Sequence, residues 1–139
     1  MKRIVASVLA LLVVVALMPA AHAAERCTAA SLKGNYGFTA SGYFPNGAAN
    51  APIAAAGVTT LDGEGNVTAT VTASFGGDIQ TFPYTGTYSV NPDCTGSVTA
   101  TPGSGLANFS IVVLRGGAEI LGIEIDPGNS WTIDFKKAD

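Results

Sequence analysis

In LDGEGNVTATVTASFGG, residues 61–77, a cluster of oxygen-bearing side chains runs directly into a strict alternation of apolar and small polar residues. Asp62, Glu64 and Asn66 stand at every second position between glycines, a spacing shared by the start of a calcium loop and by the tight turn of a β-hairpin. An EF-hand loop counted from Asp62 needs glycine where Val67 stands and a bidentate acid where Ala73 stands. A hairpin asks only for a glycine that accepts positive φ and an aspartate that bonds its own turn, and Asp62-Gly63 supplies both. LDGEGN therefore reads as a hairpin loop, with the calcium loop as its competitor. Beyond it, Val67, Ala69, Val71, Ala73 and Phe75 share one face and Thr68, Thr70, Thr72 and Ser74 the other, the pattern of a strand with one dry side and one wet side.

The same alternation extends in both directions from this hairpin. PIAAAGVTT precedes the turn as its other arm. NYGFTASGY places Tyr36, Phe38 and Ala40 on one face, and FPYTGTYSV does so with Phe82, Tyr84, Gly86, Tyr88 and Val90. In CTGSVTATP, Val98 and Ala100 alternate with Ser97, Thr99 and Thr101. Turn punctuation ends each run: Asn46-Gly47, Gly76-Gly77, Asn91-Pro92-Asp93 and Pro102-Gly103. ANFSIVVLRGG is apolar on both sides, which predicts a strand covered on both faces. AEILGIEID and SWTIDF complete the set, with Trp131, Ile133 and Phe135 opposite Thr132, Asp134 and Lys136. Only CTAASLKGNYGF departs from this, reading as one helical turn capped by Thr28 and stopped by Gly34.

Eight strands of about six to nine residues with short connections and no covering helix point to an all-β domain. An open sheet of that size leaves two edges exposed, whereas eight antiparallel strands can close into an up-and-down, calycin-like β-barrel. A two-layer β-sandwich is the alternative, disfavoured because it needs at least one long crossing.

At the N-terminus, MKRIVASVLALLVVVALMPAAHAAE combines two cations, a short apolar core and small residues around Ala21 and Ala23. This is the pattern of a secretory signal peptide spanning 1–23, leaving 24–139 as one domain, exported to the periplasm or the extracellular space. Lys2, Arg3 and the lone His22 leave with it. The remaining five basic residues face ten acidic ones, a net charge near −5 that argues against nucleic acid as a partner. Without histidine there is no Ser-His-Asp set, Cys-His pair or imidazole zinc site, and the residues call for neither metal nor cofactor. Cys27 and Cys94 enter an oxidising compartment together, so a disulfide between them is the default reading.

CTAASLKGNYGF, TTLDGEGNVTAT, YTGTYSVNPDCTGSVT and RGGAEILGIEIDPG together resemble small exported bacterial proteins with the allene oxide cyclase-like barrel, related in architecture to plant dirigent proteins. The resemblance spans nearly all of the chain after the signal and rests on turn and staple motifs. It implies an eight-stranded barrel with an apolar lumen open at one end. It also implies kinship with a plant enzyme that cyclises a fatty-acid epoxide by holding it in shape, helped by an acidic residue and bound water.

Glu119 is the candidate acid, placed after Gly116-Gly117 at the start of an apolar strand, where the resembling proteins also tend to carry glutamate. Its competing reading is a solvated charge or a partner for Arg115. Tyr36, Phe38, Phe82, Tyr84 and Tyr88 are the candidate ligand-binding wall, with space-filling core as the alternative. Glu124, Asp126 and Asp134 form the densest acidic set, placed to attract a cation or to serve as paired acid and base, with solvated strand faces as the simpler account. Three functions fit: a module binding a small apolar ligand in the lumen, an isomerase or cyclase in the same lumen, or a structural envelope protein with a packed interior. After signal cleavage no stable membrane insertion is expected.

Overall fold

The structure is a computed structural model that describes residues 26–47, 49–101 and 106–138; the signal-peptide reading falls on residues 1–23, outside that range. Eight strands run in chain order: β1 Gly34–Asn46, β2 Ala49–Leu61, β3 Asn66–Phe75, β4 Asp78–Val90, β5 Thr95–Thr101, β6 Ala107–Leu114, β7 Glu119–Glu124 and β8 Ser130–Lys137. Each pairs antiparallel with the next, and β8 pairs back onto β1, so the sheet closes as an up-and-down barrel. No crossing connection exists between these strands, which rules out the sandwich alternative.

LDGEGN is the β2–β3 hairpin loop. The Asp62 carboxylate accepts the amides of Glu64 (2.7 Å) and Asn66 (2.9 Å), while Gly63 and Gly65 take positive φ of 84° and 110°. Those bonds hold the Asp62 carboxyl down to about 2, the Asn66 side chain contributing most.

Two expectations need correction. Strands β1, β2 and β4 each run for 13 residues, well beyond the predicted strand length. Their hairpins overshoot the rest of the barrel, because β8 pairs only with Tyr36–Tyr43 of β1 and β5 only with Thr85–Val90 of β4. The wall formed by β1–β4 is therefore taller than the wall formed by β5–β8. Strand β6, in turn, is not covered on both faces. Phe109, Ile111 and Val113 are buried in the barrel, but Val112 is 44% exposed and sits beside Leu121, its register partner, at 42%. Closure buries one face of a sheet only, and among the described residues no helix lies over the other. Nor is any helix among them long and apolar enough to cross a bilayer.

The end of the barrel nearest the N-terminus is sealed. A 3₁₀ turn at Ala29–Leu32 follows Thr28 and inserts Leu32, which is 1% exposed. The Cys27–Cys94 disulfide ties this segment to the β4–β5 turn. Two tyrosines complete the seal. Tyr36 donates to the Gly117 carbonyl at 2.6 Å, and Tyr88 donates to the Ala29 carbonyl and accepts the Gly63 amide, both at 3.0 Å. Burial, and then the neighbouring Tyr88, pushes the Tyr36 phenol up to about 12, so it stays a donor at every physiological pH.

Tight coiling of the sheet depends on inward-facing glycine. At Gly57 a Cβ would fall 2.2 Å from the Thr70 carbonyl, and the Phe38 ring covers the space that the missing side chain leaves. A bare position roofed by an aromatic ring lets the strand bend sharply without opening a void.

Candidate functional site

Above the seal, the barrel interior stays open. A cavity of about 230 Å³ is walled by Phe38 and Phe44 of β1, Ile53 and Ala55 of β2, Val71, Ala73 and Phe75 of β3, and Phe82 and Tyr84 of β4. The shorter wall adds Val98, Ala100, Phe109, Trp131, Ile133 and Phe135. Small side chains make the room: Ala55 and Ala73 are register partners across β2 and β3, and both face inward. Aromatic rings frame the space. Phe75 packs edge-on against Phe44 at 5.5 Å and stacks with Phe82 at 6.4 Å, while Phe109 meets Trp131 edge-on at 5.1 Å.

Among the described residues one carboxylate enters this apolar lumen, and it is Glu124, 5% exposed. Along β7 the inward positions are Ile120, Gly122 and Glu124, and the outward ones Leu121 and Ile123. Asn129, from the β7–β8 loop, donates to Glu124 Oε1 at 2.7 Å. Oε2 is buried without a partner. Burial pushes the Glu124 carboxyl up to about 7; the Asn129 bond opposes this, and the neighbouring Asp126 carboxylate adds to it, by its charge and as an acceptor that favours the protonated form. Asp126 itself is held below the usual carboxylate range because both its oxygens accept from Asn108, from the amide and from Nδ2, each at 2.8 Å. A buried acid held up to about 7 at the edge of an apolar wall can act as hydrogen-bond donor, acceptor or counter-ion, depending on pH.

The sequence-derived residues divide sharply. Phe38, Phe82 and Tyr84 line the cavity. Tyr84 is held there by a 3.3 Å bond to Thr59, and burial pushes its phenol up. Tyr36 and Tyr88 share the inward face but lie in the seal, away from the lumen, with their hydroxyls spent on backbone. Glu119 lies on the outward parity of β7 and pairs with Arg115 at 3.5 Å, so it does not face the lumen. Of the acidic set, Glu124 is buried, Asp126 braces the mouth through Asn108, and Asp134 lies on the outer face, one oxygen 3.5 Å from Lys136 and the other covered and without a partner. Asn129 is the polar lining residue that the sequence did not single out, and Glu124 stood out there only as one of the acidic set, not as a lumen residue. The signal was present in ILGIE, but outward Leu121 and Ile123 are as apolar as inward Ile120, so parity there cannot be read from composition.

No family model and no curated protein matches the chain. Among solved structures, a de novo designed fluorescence-activating β-barrel aligns with a TM-score of 0.56 at 10% identity, over 79% of this chain and 96% of that one. What the two share is the barrel. At 10% identity the likeness extends to fold alone.

Proposed function

We propose that this protein is an exported barrel that binds a small apolar ligand in its lumen. The observation that carries the reading is the cavity: about 230 Å³, enclosed by aromatic and aliphatic side chains, with polar groups confined to a few points. An apolar cavity of about 150 Å³ admits benzene, so this one encloses roughly nine non-hydrogen atoms, and its open mouth lets a slightly larger molecule protrude. That the similar designed barrel is fluorescence-activating supports the idea that a barrel of this architecture can host a guest. Export is supported by the signal-like N-terminus together with the disulfide. The resemblance to allene oxide cyclase-like barrels points the same way.

Native mass spectrometry of protein purified from its own host is expected to show a retained small apolar molecule. Ala73→Phe, which places a ring in the lumen, is expected to weaken binding of an added apolar fluorophore by at least about tenfold without lowering the melting temperature by more than a few degrees. An unchanged affinity in that variant would remove the lumen as the site.

A second reading, an isomerase or cyclase, is favoured by one observation: an acid held up to about 7 faces the lumen and can carry a proton at neutral pH. In this reading Glu124 takes the role that the sequence assigned to Glu119. Glu124→Gln is then expected to abolish turnover of an epoxide or polyene while Glu119→Gln leaves it intact. Equal loss in both variants would argue against a lumen acid.

A further inference from the structure

We infer that the lumen's ligand is an apolar amine, whose protonated nitrogen pairs with Glu124. This rests on the lumen-binding reading and narrows its ligand class.

The first observation is the orphaned oxygen. Asn129 occupies Glu124 Oε1, whereas Oε2 is buried among the lining groups with no donor. A buried carboxylate oxygen without a partner costs free energy that a donor from the ligand would recover. The cavity walls supply no cation for it, because none of the lining residues is lysine or arginine. The groups around Glu124 reinforce this. Phe109 is its register partner on β6, the Asn129 amide is already committed, and Asp126, bonded by Asn108, adds a second negative charge close enough to share a proton with Glu124 but no donor once both are ionised.

The second observation is independent and concerns the whole barrel. Every described basic residue sits at the sealed end: Arg26 next to the disulfide, Lys33 before β1, Arg115 in the β6–β7 turn, and Lys136 and Lys137 at the end of β8. Among the described residues, the charges at the open end are Asp78 at the β3–β4 turn, Glu124 and Asp126, all acidic, whereas at the sealed end the bases are offset by Asp62, Glu64, Asp93 and Glu119. The mouth therefore attracts cations and repels carboxylates over distances comparable to its own width. A fatty acid would bring its charge into an apolar lumen against two carboxylates. A neutral alcohol could bond Oε2 but would gain nothing from the field.

Three ligands of nearly equal size separate these cases: 1-naphthylmethylamine, 1-naphthalenemethanol and 1-naphthoic acid, each titrated at pH 8.5 by calorimetry. The amine is expected to bind at least about tenfold more tightly than the alcohol, and the acid more weakly than the alcohol. In Glu124→Gln, which retains an oxygen for Asn129, the ratio of amine to alcohol affinity is expected to fall from at least about tenfold to about one. Alcohol binding with no preference for the amine in the parent protein overturns the inference and leaves the lumen reading standing. An amine preference that survives in the variant also overturns it, by assigning the selectivity to surface charge. Absence of binding by all three refutes both.

Discussion

Replacing Cys27 and Cys94 together with alanine is expected to lower the unfolding free energy by about 4 kcal/mol. The two cysteines are separated by 67 residues, and in the chain-entropy account a cross-link over that span removes much of the conformational freedom of the unfolded chain. A loss of this size is a large fraction of what a small domain has available. Urea unfolding of the oxidised parent and the double variant measures it directly, as a shift in midpoint at constant slope. The loss should concentrate at the sealed end. With the staple gone, Leu32 and the Ala29 carbonyl that receives Tyr88 are held only by packing and local hydrogen bonds, so amide exchange at the seal is expected to accelerate before exchange in β6 and β8. Cys94 adds a second test, because its φ of 68° lies in the left-handed region that favours glycine. Pairing Cys27→Ala with Cys94→Gly should therefore recover about 1 kcal/mol relative to the double alanine variant. A total loss below about 1 kcal/mol would mean that the N-terminal segment is not tied to the barrel in solution.

The barrel was legible because its strands alternate cleanly where one face is wet. Thr68, Thr70 and Thr72 mark the solvent side of β3 so plainly that inward Val67, Val71 and Ala73 follow, and the short turns leave closure as the cheapest way to satisfy the sheet's two edges. Depth was not legible. Tyr36, Tyr84 and Tyr88 all face inward, yet the 3₁₀ turn after Cys27 fills one end of the barrel, and only Tyr84 stands above that plug. Period-two patterning reports which side of a strand is dry, and says nothing of how far along the axis the interior is filled. Parity itself failed in β7, where no polar residue marks the outside between Glu119 and Glu124. The acid chosen from sequence was consequently on the outer face, and the acid treated as solvated was the one in the lumen.

Burial of that acid sets the pH dependence of the fold. Glu124 has an ordinary value of 4.5 and is held up to about 7 in the barrel, chiefly by burial. Between those values the folded protein keeps a proton that the unfolded chain has released, so stability falls as pH rises. The contribution is fully present below about pH 4.5 and is lost as pH climbs through 7, a span worth at most roughly 3 kcal/mol and less where solvent at the mouth screens the charge. Asp62, Asp93 and Asp126 act in the opposite sense, since each is held below its ordinary value by hydrogen bonds and loses that support as pH drops below about 4. Stability should therefore peak near about pH 4–5 and decline toward pH 8. Denaturant midpoints taken from about pH 4 to pH 8.5 test this, and Glu124→Gln should flatten the decline and exceed the parent's stability at pH 8 by about 1–3 kcal/mol. A parent whose stability is level or rising from about pH 5 to pH 8 would show that water or a counter-ion already satisfies Oε2. If the decline is found, a carboxylate that weakens the fold at neutral pH is occupying a position where leucine would pack, and a guest that supplies the missing donor should restore stability in proportion to its affinity and only while Glu124 is present.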